Sequence, residues 1–309
     1  MKVIISETKE ELGQGAGAYA AMIIRDTLAR QGYANVILAT GTSQFETLNQ
    51  LVVEKDIDWS KVTMFHLDEY IDLPVTHPAS FRKYLAERFL SRVPSLRASY
   101  LINGEGNLEE ELGYLAKQIS EHPIDVALVG IGENGHLAFN DPPADFETDS
   151  PYLVVNLDEP CRRQQMGEGW FASLDEVPLQ AISMSVRQIM KSTHIICSVP
   201  DERKAVAVKN SLENEVSSAF PASILQLHPH CTFFLDRESS GLLIGKRDCR
   251  AQARGKHAGQ IRDQLPPAQP AVLEVVDHFD NLGLHGGSFA NFEILSRLES
   301  NSVNQADPV

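Results

Sequence analysis

The stretch that most constrains this chain runs from Ile124 to Pro143, IDVALVGIGENGHLAFNDPP. Its first half is an apolar, β-branched run (Ile124, Val126, Ala127, Leu128, Val129), which reads as a strand buried on both faces. Gly130, Gly132 and Gly135 then interrupt it. Glycines placed directly after a strand let the backbone turn sharply and come close to a ligand. His136 follows at once, and Asp141 five residues later. Open α/β sheets bind ligands beyond the carboxyl ends of their strands, where this segment places an imidazole and a carboxylate. A lone Gly-x-Gly reads as an ordinary strand–turn with Asn134 as a cap. The added Asn140, Asp141 and Pro142–Pro143 turn the balance toward a site.

Around that segment, strand-like and helix-like patterns alternate. Lys2–Ser6 reads as a strand, Glu10–Gln31 has helical apolar spacing, and Gly32 closes it. Asn35–Ala39 is a second buried strand, followed by Thr40, Gly41, Thr42 and Ser43 and a helix from about Ser43 to Lys55. Strand, small hydroxyl and glycine residues, then helix is an arrangement that cradles an anion on backbone N–H groups. Taken alone, Ser43 serves equally well as an N-cap. Val62–Leu67 is a third strand running into Asp68, Glu69 and Tyr70. Neighbouring side chains on a strand point to opposite faces, so at most one of the two acids faces a pocket.

Downstream, His77–Leu90 reads as a helix capped near Ser80, and Leu108–Ser120 as an amphipathic helix. Tyr152–Leu157 is a short strand, and Cys161–Phe171 is polar with two arginines. Arg162 and Arg163 offer fork geometry for a phosphate or simply face water. Val177–Val186 and His194–Val199 bracket a short helix at Arg187–Lys191, and Asp201–Asn210 opens a helix after a strand. Lys204 falls in the first turns of that helix, where a cation opposes the helix dipole, so either it reaches solvent or an anion belongs beside it. Thr232–Leu235 is the last strand read from this pattern.

Asp and Glu number 42 against 27 Lys and Arg, a net charge of −15 that opposes nucleic-acid binding, with no basic run to offset it. The four cysteines, Cys161, Cys197, Cys231 and Cys249, show no zinc-ligand spacing and read as free thiols in a reducing cytosol. No metal is expected. The N-terminus lacks a signal-peptide pattern and no apolar run reaches membrane-spanning length, so the expected location is cytoplasmic, without membrane partners. From about Gly245 the texture turns polar and then Pro-rich. The expected organisation is a domain over residues 1–244 and an extension over 245–309, linker-like at Gly245–Ala271 and disordered at its end.

ATGTS (Ala39–Ser43), FHLDEY (Phe65–Tyr70), HPASF (His77–Phe81), GIGENGHLAFNDP (Gly130–Pro142), VPLQAISMS (Val177–Ser185), KAVAV (Lys204–Val208) and PASILQLH (Pro221–His228) lie in one order along the chain. Together they resemble the glucosamine-6-phosphate deaminase (isomerase) family over about Val3–Leu243. The resemblance implies an α/β fold with a modified doubly wound, Rossmann-like parallel sheet and helices on both faces. It implies no cofactor and an amino-sugar-phosphate substrate. The implied reaction opens the ring, isomerises aldose to ketose and releases ammonia, giving fructose 6-phosphate. Asp68 matches the family's base, which moves a proton from carbon 2 to carbon 1. His136 answers to its ring-opening imidazole, with Asp141 as the partner carboxylate where family members commonly carry glutamate, and Asn134, where they commonly carry aspartate, is placed to orient His136. Gly41, Thr42, Ser43 and Lys204 match its phosphate site, with Arg162 as the candidate arginine. Related members of the fold act as 6-phosphogluconolactonases or sugar-phosphate sensors; the Asp-Glu-Tyr and Asn-Asp-Pro motifs favour the deaminase. A homo-oligomer is possible.

Overall fold

A computed structural model describes residues 1–244 and 275–277. In chain order the strands and helices are β1 (Lys2–Ser6), α1 (Lys9–Gln31), β2 (Ala34–Leu38), α2 (Phe45–Leu51), β3 (Val62–His66), β4 (Asp68–Tyr70), α3 (Phe81–Leu85), β5 (Ala98–Tyr100) and α4 (Leu108–Ser120). They continue with β6 (Val126–Val129), β7 (Tyr152–Asn156), α5 (Glu159–Gly167), β8 (Gln180–Met184), α6 (Val186–Ile189), β9 (His194–Val199), α7 (Ala205–Glu213), β10 (Cys231–Asp236) and β11 (Val275–Asp277).

The main sheet runs β11-β1-β10-β9-β6-β2-β3-β5, and every pairing in it is parallel. Parallel strands covered on both faces should be apolar throughout; β2, β3, β6 and β10 are buried at every residue. Two apolar clusters lie against the sheet. One includes Ile37, Phe65, Ala127, Ile195 and Phe233, with Leu115 and Ile119 of α4. The other includes Val36, Met64, Val126, Ile196 and Phe234, with Leu12, Ala16, Ala20 and Ile24 of α1. The α/β reading of a parallel sheet with helices on both faces is what the chain forms. β11 lies inside the expected C-terminal extension and pairs with β1. The rest of residues 245–309, including the expected linker at Gly245–Ala271, lies outside the described residues.

One departure from the sequence reading governs the site. The third strand does not run straight into Asp68. β3 stops at His66, and β4 joins a separate antiparallel sheet of order β4-β8-β7. The reason is a change of partner: the Leu67 carbonyl accepts from Met184 N (2.9 Å), and Tyr152 Oη donates to His66 O (2.9 Å). Local helix readings also shift. The helix expected from Ser43 to Lys55 starts as a 3-10 turn at Thr42–Gln44, and α2 ends at Leu51. The helix expected over His77–Leu90 begins at Phe81, with Ser80 as the N-cap accepting from Lys83 N, and finishes as a π turn at Ala86–Leu90. The polar Cys161–Phe171 stretch contributes most of α5, started by Asp158 accepting from Cys161 N with Pro160 in the first turn.

Candidate active site

A cleft opens at the carboxyl ends of β2, β6 and β9, with β4 at one side. Its space, counted together with the open solvent at its mouth, is about 540 Å³. Gly41–Ser43, Asp68, His136 and Lys204 all line it.

The β2 loop supplies one wall. Gly41 takes φ 89, a left-handed value that glycine adopts without strain. Tyr84 Oη donates to the Gly41 carbonyl (3.1 Å), and Gln44 Nε2 to Val129 O (3.1 Å), so this loop is held against β6. Opposite it, Asp201 adopts φ 78 and its N–H donates to the Asp236 carboxylate (2.9 Å). A non-glycine residue held at positive φ stores strain that functional sites tolerate. This turn delivers Lys204 at the start of α7, only 5% exposed, into the cleft. Burial depresses its pKa, while Glu168 and Glu133 push the other way. A buried ammonium with no ion pair of its own within 4 Å among the described residues is poised for an anion.

The β6 loop supplies the imidazole. Gly132 lies flat on the His136 ring: a Cβ at this position would stand 2.2 Å from ring carbon Cε1. Asn134 Oδ1 accepts from the His136 backbone N (3.0 Å), and Asn134 Nδ2 donates to Asp141 Oδ1 (3.1 Å). Asp141 Oδ2 accepts from Asp158 N (2.9 Å). His136 Nδ1 lies 3.1 Å from Asp141 Oδ1, at bonding distance though off a hydrogen-bonding line. Asp141 therefore stands behind the imidazole rather than in the cleft. Burial pushes its carboxyl up, but His136, the Asp158 N–H and the Asn134 amide together outweigh this and hold it below the usual range.

β4 supplies the acid pair, and the strand alternation separates them. Asp68 lines the cleft. Burial, reinforced by the neighbouring charge of Glu69, pushes its carboxyl up to about 8. Glu69 points the other way and is fully buried. It accepts from Ser80 Oγ (3.0 Å), Phe81 N (3.1 Å) and Arg82 N (2.8 Å), and pairs with Arg82 Nε at 3.3 Å. That arrangement explains why the DEY and HPASF segments matter to each other: the N-terminus of α3 is capped by a carboxylate from β4.

Arg162 does not reach the cleft. Its guanidinium donates to the carbonyls of Leu174 and Val177 (Nη2 to Val177 O, 3.1 Å), closing the loop that precedes β8. Arg163 is exposed and pairs with Glu159. The arginines dominate the sequence pattern of this segment, but its cleft-lining residues are Gln164, Gln165 and Glu168. Tyr70 Oη donates to Gln165 Oε1 (2.8 Å), and Glu133 N to Gln164 Oε1 (2.7 Å). The signal that could have found them is spacing: Gln164 and Gln165 precede Glu168 by four and three residues, which makes each its neighbour on a helix surface.

The family model described as glucosamine-6-phosphate isomerases/6-phosphogluconolactonase matches residues 7–233. The chain belongs to this family. Among its relatives, the glucosamine-6-phosphate deaminase of Streptococcus sanguinis (strain SK36) is 36% identical over 244 residues, covering 79% of this chain and 99% of that protein. The corresponding deaminase of Oenococcus oeni (strain ATCC BAA-331 / PSU-1) is 35% identical over 247 residues, 80% of this chain and 100% of that one. A solved monomeric glucosamine-6-phosphate deaminase superposes with TM-score 0.71 at 32% identity, covering 78% of this chain and 100% of that structure. A 6-phosphogluconolactonase from Shewanella baltica OS155, at 21% identity and TM-score 0.61 over 76% of this chain and 98% of that one, shares the fold. Among the described residues no helix is long and apolar enough to cross a membrane.

Proposed function

We propose that this protein is a glucosamine-6-phosphate deaminase: it opens the sugar ring, isomerises the aldose to the ketose and releases ammonia, giving fructose 6-phosphate. The observation that carries the reading is the convergence of Asp68, His136 and Lys204 with the Gly41–Ser43 loop on one cleft. The 36% identity to a deaminase over nearly that protein's whole length supports it.

In this reading the phosphate sits between the Gly41–Ser43 loop and Lys204. The loop donates hydroxyl and N–H groups and the lysine supplies the charge. His136 moves the proton that ring opening transfers between the anomeric hydroxyl and the ring oxygen. Asp141 holds the imidazole from behind, and Asn134 holds both, through the His136 N–H and the Asp141 carboxylate. Asp68 takes the carbon 2 proton and returns it to carbon 1. A base is most effective when its pKa lies near the working pH, and burial brings the Asp68 carboxyl to about 8. A substrate ammonium beside it favours the carboxylate form. Protonation at carbon 1 leaves an imine at carbon 2; water adds to it, and the carbinolamine so formed breaks its carbon–nitrogen bond, releasing ammonia and leaving the ketose carbonyl. No step requires a cofactor, and the setting is cytoplasmic.

The test is direct. Purified protein given glucosamine 6-phosphate releases ammonia and fructose 6-phosphate in equal amounts. Hydrolysis of 6-phosphogluconolactone with no ammonia from any hexosamine phosphate would replace this reading with the lactonase one.

A further inference from the structure

Behind the cleft, a thiol that no step above uses meets the His136–Asp141 pair at one point. His136 Nδ1, an Asp141 carboxylate oxygen and Cys161 Sγ all lie within 4.8 Å of one another. They come from three places: the β6 loop, the Asn-Asp-Pro segment and the first turn of α5. His136 and Cys161 are 7% and 1% exposed. Nδ1 of His136 is buried and makes no aligned hydrogen bond, although Asp141 Oδ1 is 3.1 Å away. That nitrogen meets the Asp141 carboxylate off a hydrogen-bonding line and faces the Cys161 sulfur as well, so three zinc-type donors converge on one buried point.

We propose that His136, Asp141 and Cys161 form an inhibitory site for a thiophilic divalent cation, Zn²⁺ in the first instance. Imidazole nitrogen, carboxylate oxygen and thiolate sulfur are the three donor types zinc accepts. The observed 3.1 Å between nitrogen and oxygen suits two corners of a tetrahedron around one ion. Calcium and magnesium prefer oxygen cages and find one oxygen donor here, so the selectivity is for soft metals. On binding, the Cys161 S–H bond breaks, its proton goes to solvent and the sulfur–metal bond forms. No oxidant or reductant is involved. Because a proton is released, occupancy rises with pH. The bound ion ties the imidazole and the carboxylate to the metal, so neither serves ring opening. The metal is thus an off-switch and not a cofactor. Cysteine spacing along the chain gives no hint of it, because the ligands lie at positions 136, 141 and 161.

The test uses the full-length protein and Co²⁺ as a spectroscopic stand-in for zinc. The expected result is one tightly held equivalent of Co²⁺ with a thiolate-to-cobalt charge-transfer band in the near ultraviolet, lost on adding Zn²⁺. Cys161→Ser abolishes the band and raises the Zn²⁺ concentration for half-inhibition by roughly tenfold or more, while turnover in chelator stays near the parent's. Cys249→Ser keeps the band. If Cys161→Ser fails to fold, Cys161→Ala serves, and His136→Ala must lose the band too. A missing band in the parent, or a band and zinc inhibition unchanged in the Cys161 variants, overturns the proposal. The band is read without substrate, so its loss is separable from failure of the deaminase reading.

Discussion

Replacing Asp68 with asparagine should shift the stability difference from the parent in the variant's favour as pH rises. Burial raises the Asp68 carboxyl from 3.8 to about 8, with Glu69 adding to the shift. The group is neutral in both folded and unfolded chains at low pH. Above 3.8 the unfolded chain loses this proton while the folded one keeps it, so stability falls as pH rises, and the fall levels off above about 8. At about 1.4 kcal/mol per unit, the parent loses on the order of 4 kcal/mol between pH 5 and pH 9 through this one carboxyl. The asparagine side chain does not titrate. Any cost or gain of burying its amide is the same at every pH, and Glu69 is present in both proteins. The assay is denaturant unfolding of parent and Asp68→Asn across that range, followed by circular dichroism. The stability difference between them should move in the variant's favour toward high pH and flatten above about 8. Curves that stay parallel across the range would refute the reasoning, and with it the placement of Asp68 in a dry, anionic setting.

The remaining predictions concern turnover and packing. For the parent enzyme, kcat/KM should rise with pH through a limb set by Asp68 at about 8, read by coupled ammonia release. Lys204→Ala should raise KM more than it lowers kcat, as when binding common to substrate and transition state is lost. Gly132→Ala puts a methyl 2.2 Å from the His136 ring, so kcat should drop by about a hundredfold or more with the fold retained. Arg162→Met should leave the KM for substrate unchanged and lower the melting temperature, because its partners are the Leu174 and Val177 carbonyls. Glu69→Ala should cost roughly 3–5 kcal/mol of stability, read by denaturant unfolding, by leaving Arg82 half-paired in a buried setting.

The sequence makes the main sheet legible because buried parallel strands are continuous apolar runs, and β2, β3, β6 and β9 each announce themselves that way. The Gly130–Asp141 segment is equally readable: glycines, imidazole and acid follow one strand directly. What sequence reasoning misses depends on partners distant along the chain. Nothing local to Leu67 says that its carbonyl will bond Met184 and start a second sheet. Arg162 resembles an anion ligand by residue type, yet two loop carbonyls from residues 174 and 177 claim its guanidinium. The glutamines at 164 and 165 escape notice because neutral amides carry no charge signal. Only their placement on α5, with Tyr70 and Glu133 fixing them, marks them out.

The small sheet β4-β8-β7 makes the cleft a structure of two halves. Asp68 belongs to it, whereas the Gly41–Ser43 loop, His136 and Lys204 follow strands of the large sheet. The seam between them is stitched by Phe139 N to Ser183 Oγ (3.0 Å) and Asn140 Nδ2 to Met184 O (2.9 Å). Under the proposed reading, substitutions confined to the small sheet act on the proton transfer at carbon while the anion grip stays as it is. In that reading the proton-moving carboxylate and the groups that hold the anion can be altered independently of each other.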